Sequence, residues 1–487
     1  MIAMSAPVTS QDPRSFLGLR VVVVGLGIEG VDAVRFLHRE GAAEIIVSDA
    51  KTSDALRNQI RALSGIPFAL QAGTNDARLA ERVDAVVVSQ GVPDTLPLIQ
   101  EAERRHVPVT SMMRLFLLRC PVPVIGITGS AGKSTTTSLV AEMLRAADVP
   151  VLVGGNIGTG LLNALDSIDA QTRVVLEISH TQLTRSNRSP HLAAVLNVTP
   201  NHLDQFSWDE YVELKRNLVR YQSAQDIVVL PSENETALAF RDSTPASPYY
   251  FGVERLPGPG ATIVDDSIVW DGGDGPQSVC PVQAIQVPGE HNLRNVLAAV
   301  AIGATAGVPA DAMGRAISAF RGIAHRLETV ATVNGVRYID DSIATAPERT
   351  IAALRAFDAP VVLLLGGREK QLPLDTLARE IVGRAHSVIC FGEAGPMFAD
   401  ALRSLWDATS DSPPINVVTN VDEAVAQAHA TGRPGDICLL SPAGTSFDAY
   451  DNFSKRGEHF ATLVRGLATQ DGETRDGNGE GGGHGAR

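Results

Sequence analysis

The ten residues 126–135, Gly-Ile-Thr-Gly-Ser-Ala-Gly-Lys-Ser-Thr, follow the short apolar run Val122 to Ile127 and open a helical pattern. A strand that runs through a glycine turn straight into a helix is the geometry of a phosphate-binding loop. Gly129 and Gly132 let backbone N–H groups crowd around an oligophosphate, with Ser130, Ala131 and Thr135 completing the loop. Lys133 neutralises the phosphate charge, and Ser134 reaches a magnesium ion at the helix N-terminus. The strict pattern asks for glycine where Ile127 stands, so the reading rests on the GxxGKS core. The alternative is a glycine-rich strand-to-helix turn with no nucleotide.

The same alternation of Val/Ile runs with Ala/Leu/Arg helices extends through the chain and reads as α/β with parallel sheets. A length of 487 residues exceeds one ordinary core, and at roughly 150 residues per domain it suggests about three. A formal charge of -14 disfavours a general nucleic-acid binder. Cys120, Cys280, Cys390 and Cys438 are scattered without a CxxC pair, against a disulfide framework or zinc site. No charged-then-apolar leader and no run of about 18 apolar residues occurs, so no signal peptide or membrane span is expected and the chain is placed in the cytoplasm.

The first unit, 17–120, starts with the strand Arg20 to Val24, runs into GLGIEG (25–30) and continues as a helix through His38. A second strand, Glu44 to Ser48, ends at Asp49. Taken alone this is the dinucleotide fingerprint, with its acidic residue about 20 positions on, and it favours NAD or FAD. Further strands are expected at Ala85 to Ser89 and Val107 to Thr110. The second unit, 121–322, holds the phosphate loop and strands at Val174 to Ile178 and Ala193 to Asn197, whose ends are where ligands collect in an open parallel sheet. Residues 242–277 are rich in Gly, Pro and Asp and read as short strands and loops outside the core; a helix follows from His291 through Ala304. The third unit, 323–468, repeats the alternation at Val361 to Leu365, Ser387 to Phe391 and Asp436 to Leu440. Residues 469–487 carry almost no apolar side chains and are expected to be a disordered tail.

Eleven ordered segments converge: GLGIEG, GITGSAGKST, GGNIG, EISHTQL, LNVTPNHLDQF, EYVELKRNLVRYQ, GEHNLRNVLAA, HRLE, DDSIATAPERT, LLLGGREK and LLSPAGTSFDAYDNF. In these the chain resembles the Mur ligases, ATP-dependent amide-forming enzymes of peptidoglycan precursor synthesis, from about Leu17 to Ala468. The resemblance implies a Rossmann-like domain holding UDP, a central ATPase domain and a Rossmann-like C-terminal domain that brings the amino acid. The implied reaction joins glutamate, with the D enantiomer favoured, to UDP-N-acetylmuramoyl-L-alanine through an acyl phosphate.

Residue by residue, the resemblance implies magnesium ligands at Glu177, His202 and Ser134, two ions in all, and a carbamylated Lys215 as a further ligand; Lys133, Glu177, His202 and Lys215 form the catalytic set. By itself Lys215 reads as a solvated helix lysine. Asn292 and Asn295 share a helix face and match adenine or ribose contacts, although helix capping suits Asn292 equally. Arg326 and Asp341 match nucleotide contacts from the third domain, and His325 reads as structural. Ile28, Glu29, Asp49, Lys51 and Ser89 match the uridine and diphosphate pocket, and Asn156 the sugar-peptide. Gln90 stands where the family usually has proline. Thr345, Lys370, Ser446 and Phe453 match the glutamate pocket, in which Lys370 pairs with one carboxylate and Ser446 bonds the other. Many relatives carry a lysine where this chain has Ile343. A monomer is expected. The other readings are a ligase adding L-glutamate or another amino acid, a nucleotide-binding regulator without turnover, and an NAD-dependent oxidoreductase.

Overall fold

The computed structural model describes residues 15–477, apart from 55, 158–159, 202, 204, 288, 370–372 and 407–411. The chain forms two compact units, divided between Phe320 and Arg321. Three sheets carry the architecture, two in the first unit and one in the second.

The first sheet orders its strands Ala69–Ala72, Glu44–Asp49, Arg20–Val24, Ala85–Val88 and Val109–Ser111, all parallel. Its central strand is a run of valines because both faces are covered. Val21 and Val23 enter one apolar cluster, while Val22 and Val24 enter another. Full burial of such a side chain contributes roughly 1.5–3 kcal/mol, so this strand anchors the glycine loop that follows it. The strand Ala69–Ala72 has no strong apolar signature and was not expected.

The second sheet has nine strands, and its parallel half places Val124–Thr128 between Arg173–Glu177 and Leu192–Val195. Beyond Ile227–Pro231 lie Ser247–Phe251, Gly260–Val264, Ser267–Asp271 and Pro276–Pro281. The last three of these pair antiparallel in turn. This corrects two expectations. The sheets are not wholly parallel, and the Gly/Pro/Asp-rich segment belongs to the core: Phe251, Ala261 and Ile268 are buried in the cluster that also holds Leu139 and Val300. Punctuation by glycine and proline marked the turns and short strands correctly but hid that those strands bury one face. The segments 17–120 and 121–322 each own a sheet, yet one apolar cluster runs through both, from Phe16 and Val21 to Val195 and Tyr250.

The C-terminal unit orders Glu328–Val333, Val336–Asp340, Ile437–Ala443, Val361–Gly366, Ala385–Phe391 and Ile415–Val417. The first two form an antiparallel hairpin and the remaining pairs are parallel. The final helix runs Phe453–Gly477, past residue 468 where the tail was expected to begin, and 478–487 lie outside the described residues. Phe460 and Val464 anchor that helix in the core. No helix among the described residues is long and apolar enough to cross a membrane. The four cysteines are free thiols.

Candidate active site

The strand Val124–Thr128 delivers the glycine loop to the N-terminus of the helix Lys133–Ala146. Gly132 is the N-cap, with φ 83°, a left-handed conformation that a side chain would strain. A Cβ there would also collide with the side chain of Asn295, so the helix Glu290–Thr305 can seat its asparagine against the loop only because residue 132 is glycine. Gly132 offers no side chain to cap this helix, which leaves its first N–H groups and positive dipole end for an anion. The loop is held in shape by the strand end of Leu192–Val195. Ser130 N–H donates to the Asn197 carbonyl (3.0 Å), Ala131 N–H to Asn197 Oδ1 (2.9 Å), and Ser130 Oγ bonds both Thr199 O and Thr199 N–H at 3.0 Å.

Two lysines converge on this loop. Lys133 Nζ donates to the Gly129 carbonyl at 2.8 Å, and Lys215 Nζ donates to the same oxygen at 2.9 Å. Lys215 is only 1% exposed. It comes from the helix Trp208–Arg220, whose start is fixed by a capping box between Ser207 and Glu210. Among the described residues no carboxylate pairs with Lys215, and burial, reinforced by the Lys133 charge, pushes its pKa down to about 7. The solvated helix lysine that spacing alone suggested is therefore not what the fold makes of it. Four residues earlier on the same face, Tyr211 places its ring 4.9 Å from Lys215 Nζ and its hydroxyl 3.1 Å from Ser130 Oγ.

Glu177 closes the strand Arg173–Glu177 next to the loop strand and is 2% exposed. Asn156 Nδ2 donates to its Oε1 at 2.8 Å, while Oε2 is buried with no hydrogen-bond partner among the described residues. A buried carboxylate oxygen left in that state is costly unless a cation completes it, so Glu177 fits a divalent metal at this place. Ser134, at the second position of the loop helix, is a further oxygen donor. His202 lies outside the described residues.

In the first sheet Gly25 has φ 87° and Ser89 Oγ donates to its carbonyl at 2.7 Å. Asp49 is 8% exposed; its two oxygens accept from Leu26 N–H (2.7 Å) and Lys51 N–H (2.8 Å). The acid that would meet a ribose in the dinucleotide reading also shapes both loops. Ile28 stands 73% exposed at the loop, free for an aromatic ring to cover.

In the C-terminal unit, Asp341, the Gly366–Arg368 segment and the Ala443–Ser446 segment follow the C-terminal ends of three adjacent parallel strands, where open sheets bind ligands. Asp341 is 4% exposed, accepts from Ser441 Oγ (2.8 Å) and Leu327 N–H (3.2 Å), and is pushed up to about 7 by burial. Its neighbour Asp340 holds His325 Nδ1 at 2.7 Å and thereby raises the imidazole pKa. Ser342 Oγ donates to the Phe453 carbonyl, and the fully buried Arg456 donates to Ser342 Oγ (3.0 Å), Ser342 O (2.9 Å) and Gly444 O (3.2 Å). Sequence reasoning missed Arg456, because a buried arginine on an amphipathic helix has no local signature. Its donors are committed to this corner, so it does not stand in for the cation absent at Ile343.

Three domain models match in order: the Mur ligase MurD-like N-terminal domain over 19–111, the Mur ligase middle domain over 127–303, and the Mur ligase glutamate ligase domain over 325–444. The chain is 38% identical over 452 residues to the UDP-N-acetylmuramoylalanine-D-glutamate ligase of Symbiobacterium thermophilum, covering 92% of this chain and 98% of that one. The enzyme of the same name from Acetivibrio thermocellus is 34% identical, with 92% and 96% covered. The chain belongs to the Mur ligase family. Among solved structures it is similar to the UDP-N-acetylmuramate-alanine ligase MurC of Thermotoga maritima, at 20% identity and TM-score 0.49, covering 92% of this chain and 99% of that one.

Mur ligases are ATP-dependent amide-forming enzymes, and magnesium is typical of them. With the family settled, the fold brings together Gly129 to Thr135, Lys215, Glu177, Asn156 and Asn295 in the first unit. It does not make Asn292 a cap: Gly289 is the N-cap, and Asn292 lies one turn in, accepting from Asn295 Nδ2 at 3.1 Å. Arg326 is exposed beside Asp341's loop, and Thr345, Ser446 and Phe453 sit around the same strand ends, while Lys370 lies outside the described residues.

Asp341 gives a stability prediction of definite sign. Its folded pKa of about 7 lies above the ordinary carboxylate value, so its contribution is fully present below about pH 4 and is lost as pH rises through about 7. Asp341→Asn removes that loss. In calorimetric melts the variant should gain on the parent between about pH 5 and pH 8, by at most about 4 kcal/mol. A melting difference that does not change with pH would show that Asp341 titrates normally.

Proposed function

We propose that this chain joins D-glutamate, through its amine, to the alanine carboxylate of UDP-N-acetylmuramoyl-L-alanine at the expense of ATP. Carrying this is the 38% identity, over 92% of its length, to a ligase of that name, together with a buried Glu177 oxygen unpartnered among the described residues beside a phosphate-type loop.

A carboxylate resists attack by an amine, so an alanine carboxylate oxygen first takes the γ-phosphoryl of ATP and ADP leaves. The amine then attacks the acyl carbon, the tetrahedral adduct expels phosphate, and the amine proton is lost. For the first step the chain has to position and neutralise rather than react covalently. We assign the glycine loop and Lys133 to the phosphates, Asn292 and Asn295 to the base or ribose, and Arg326 and Asp341 to the nucleotide from the C-terminal domain. Ser134, Glu177, His202 and Lys215 would hold magnesium, which would supply positive charge against the developing phosphoryl charge. We assign two ions, with Lys215 as a carbamate. A buried lysine without a carboxylate partner supports that modification, since it turns an uncompensated cation into a metal ligand. Ile28, Asp49, Lys51, Ser89 and the loop N–H groups are assigned to UDP, Asn156 to the sugar-peptide, and Thr345, Lys370, Ser446 and Phe453 to glutamate. We take the domains as 17–120, 121–322 and 323–468, in a cytoplasmic monomer.

The test is phosphate release with ATP, magnesium and UDP-N-acetylmuramoyl-L-alanine, comparing the two glutamate enantiomers. Because Ile343 removes a cation whose charged hydrogen bond is typically worth about 1.5–3 kcal/mol, the glutamate KM should be high, while kcat/KM still favours the D form. A larger kcat/KM for L-glutamate would place the chain with ligases that add the L enantiomer.

A further inference from the structure

Inside the first unit, a buried run of hydrogen bonds joins the first glycine loop to the Glu177 strand end. Glu29, in the first turn of the helix Ile28–Arg39, is 7% exposed. Its Oε2 accepts from Gln90 N–H at 2.7 Å and its Oε1 from Gln182 Nε2 at 3.0 Å. Gln182 is 3% exposed, and its own oxygen accepts from Ser179 N–H at 3.1 Å, while Ser179 Oγ accepts from Gln182 N–H at 3.2 Å. Ser179 lies two residues beyond Glu177, and between them Ile178 N–H donates to Ile127 O at 2.8 Å, at the base of the phosphate loop.

We infer that Glu29 is a positioning residue for ligation, fixing the first glycine loop against the Glu177 strand end through Gln182 and Ser179, and that it does not itself contact UDP. The inference rests on the ligase reading above and changes one residue's role within it. Both carboxylate oxygens already have donors, and a carboxylate aimed at a diphosphate would repel it. Position 90 fits the same device: its residue is not proline, so it has the backbone N–H that holds Glu29 Oε2. The substrate proposed here is gripped at its UDP end and reacts at its alanine end. A shift of about 1 Å between the two grips can therefore cost about 10²-fold in rate.

Gln182→Glu sets two carboxylates against each other, whereas Glu29→Gln with Gln182→Glu swaps amide and acid and restores every donor–acceptor pair. Each protein is assayed for kcat with the UDP-sugar and for UDP binding by calorimetry. At about pH 8 the single variant should lose at least about tenfold in kcat, with UDP affinity within about threefold of the parent. It should recover part of that loss near pH 6, where the acid pair can share a proton. The double variant should return to within about threefold of the parent kcat. Unchanged kcat in the single variant overturns the inference, as does a collapse of UDP binding, which would place the Glu29–Gln182 pair in the UDP site itself. If the single variant fails to fold, the double decides: parental kcat supports the device and a folded, slow double refutes it. An inactive parent would instead count against the ligase reading, leaving UDP affinities to report on Glu29.

Discussion

Lys133→Ala should leave a folded protein that no longer ligates, with kcat down on the order of 10³-fold or more, the scale of losing a preorganised charge at a phosphoryl-transfer site. Lys133 occupies the first position of the loop helix, and its amine folds back on the Gly129 carbonyl at 2.8 Å. That contact is within reach of the phosphates an uncapped helix N-terminus attracts. Truncation does not orphan the carbonyl, since Lys215 donates to it as well. The strand beneath is packed by Ile125 and Ile127, which the substitution does not touch. Circular dichroism and the melting temperature should therefore stay close to the parent while phosphate release disappears. Turnover within a few-fold of the parent would remove the nucleotide from this loop.

Lys215→Ala should be nearly as inactive, for a different reason. An ordinary buried lysine would leave behind a cavity and a relieved cation, with modest effects on rate. A carbamate would leave a metal site short of one anionic oxygen. The variant should thus demand more magnesium and regain part of its activity when formate or acetate fills the vacated space, which no packing defect would do. The loss should reach about 10²-fold or more, comparable to removing one charged group from a preorganised site. Mass spectrometry of the parent, kept in bicarbonate, should find the added CO2 on this residue. Full activity with unchanged magnesium dependence would reduce Lys215 to a helix residue tied to Gly129.

Much of this could be read along the chain because the signals are local. Glycines 129 and 132, the lysine after them and the strand before them are neighbours in sequence, so backbone sterics and a single helix terminus carry their meaning. Valine runs such as Val21 to Val24 announce strands covered on both faces wherever they occur. The hairpin of Gly260–Val264 and Ser267–Asp271 is harder to read, since glycine and proline mark where a chain turns and say nothing of what its short strands pack against.

By itself the sequence determined the α/β class, the order of the glycine loops and the family, all properties of contiguous residues. Only the tertiary structure decided what the scattered polar groups do. It buried Lys215 beneath Gly129, 86 positions away, left one Glu177 oxygen without a partner among the described residues, gave both Asp49 oxygens to backbone N–H groups and tied Glu29 to Gln182 across 153 positions. A carboxylate or an amine carries the same formal charge in any loop. Its hydration, its partners and hence its chemistry are set by which distant segments the apolar core brings beside it.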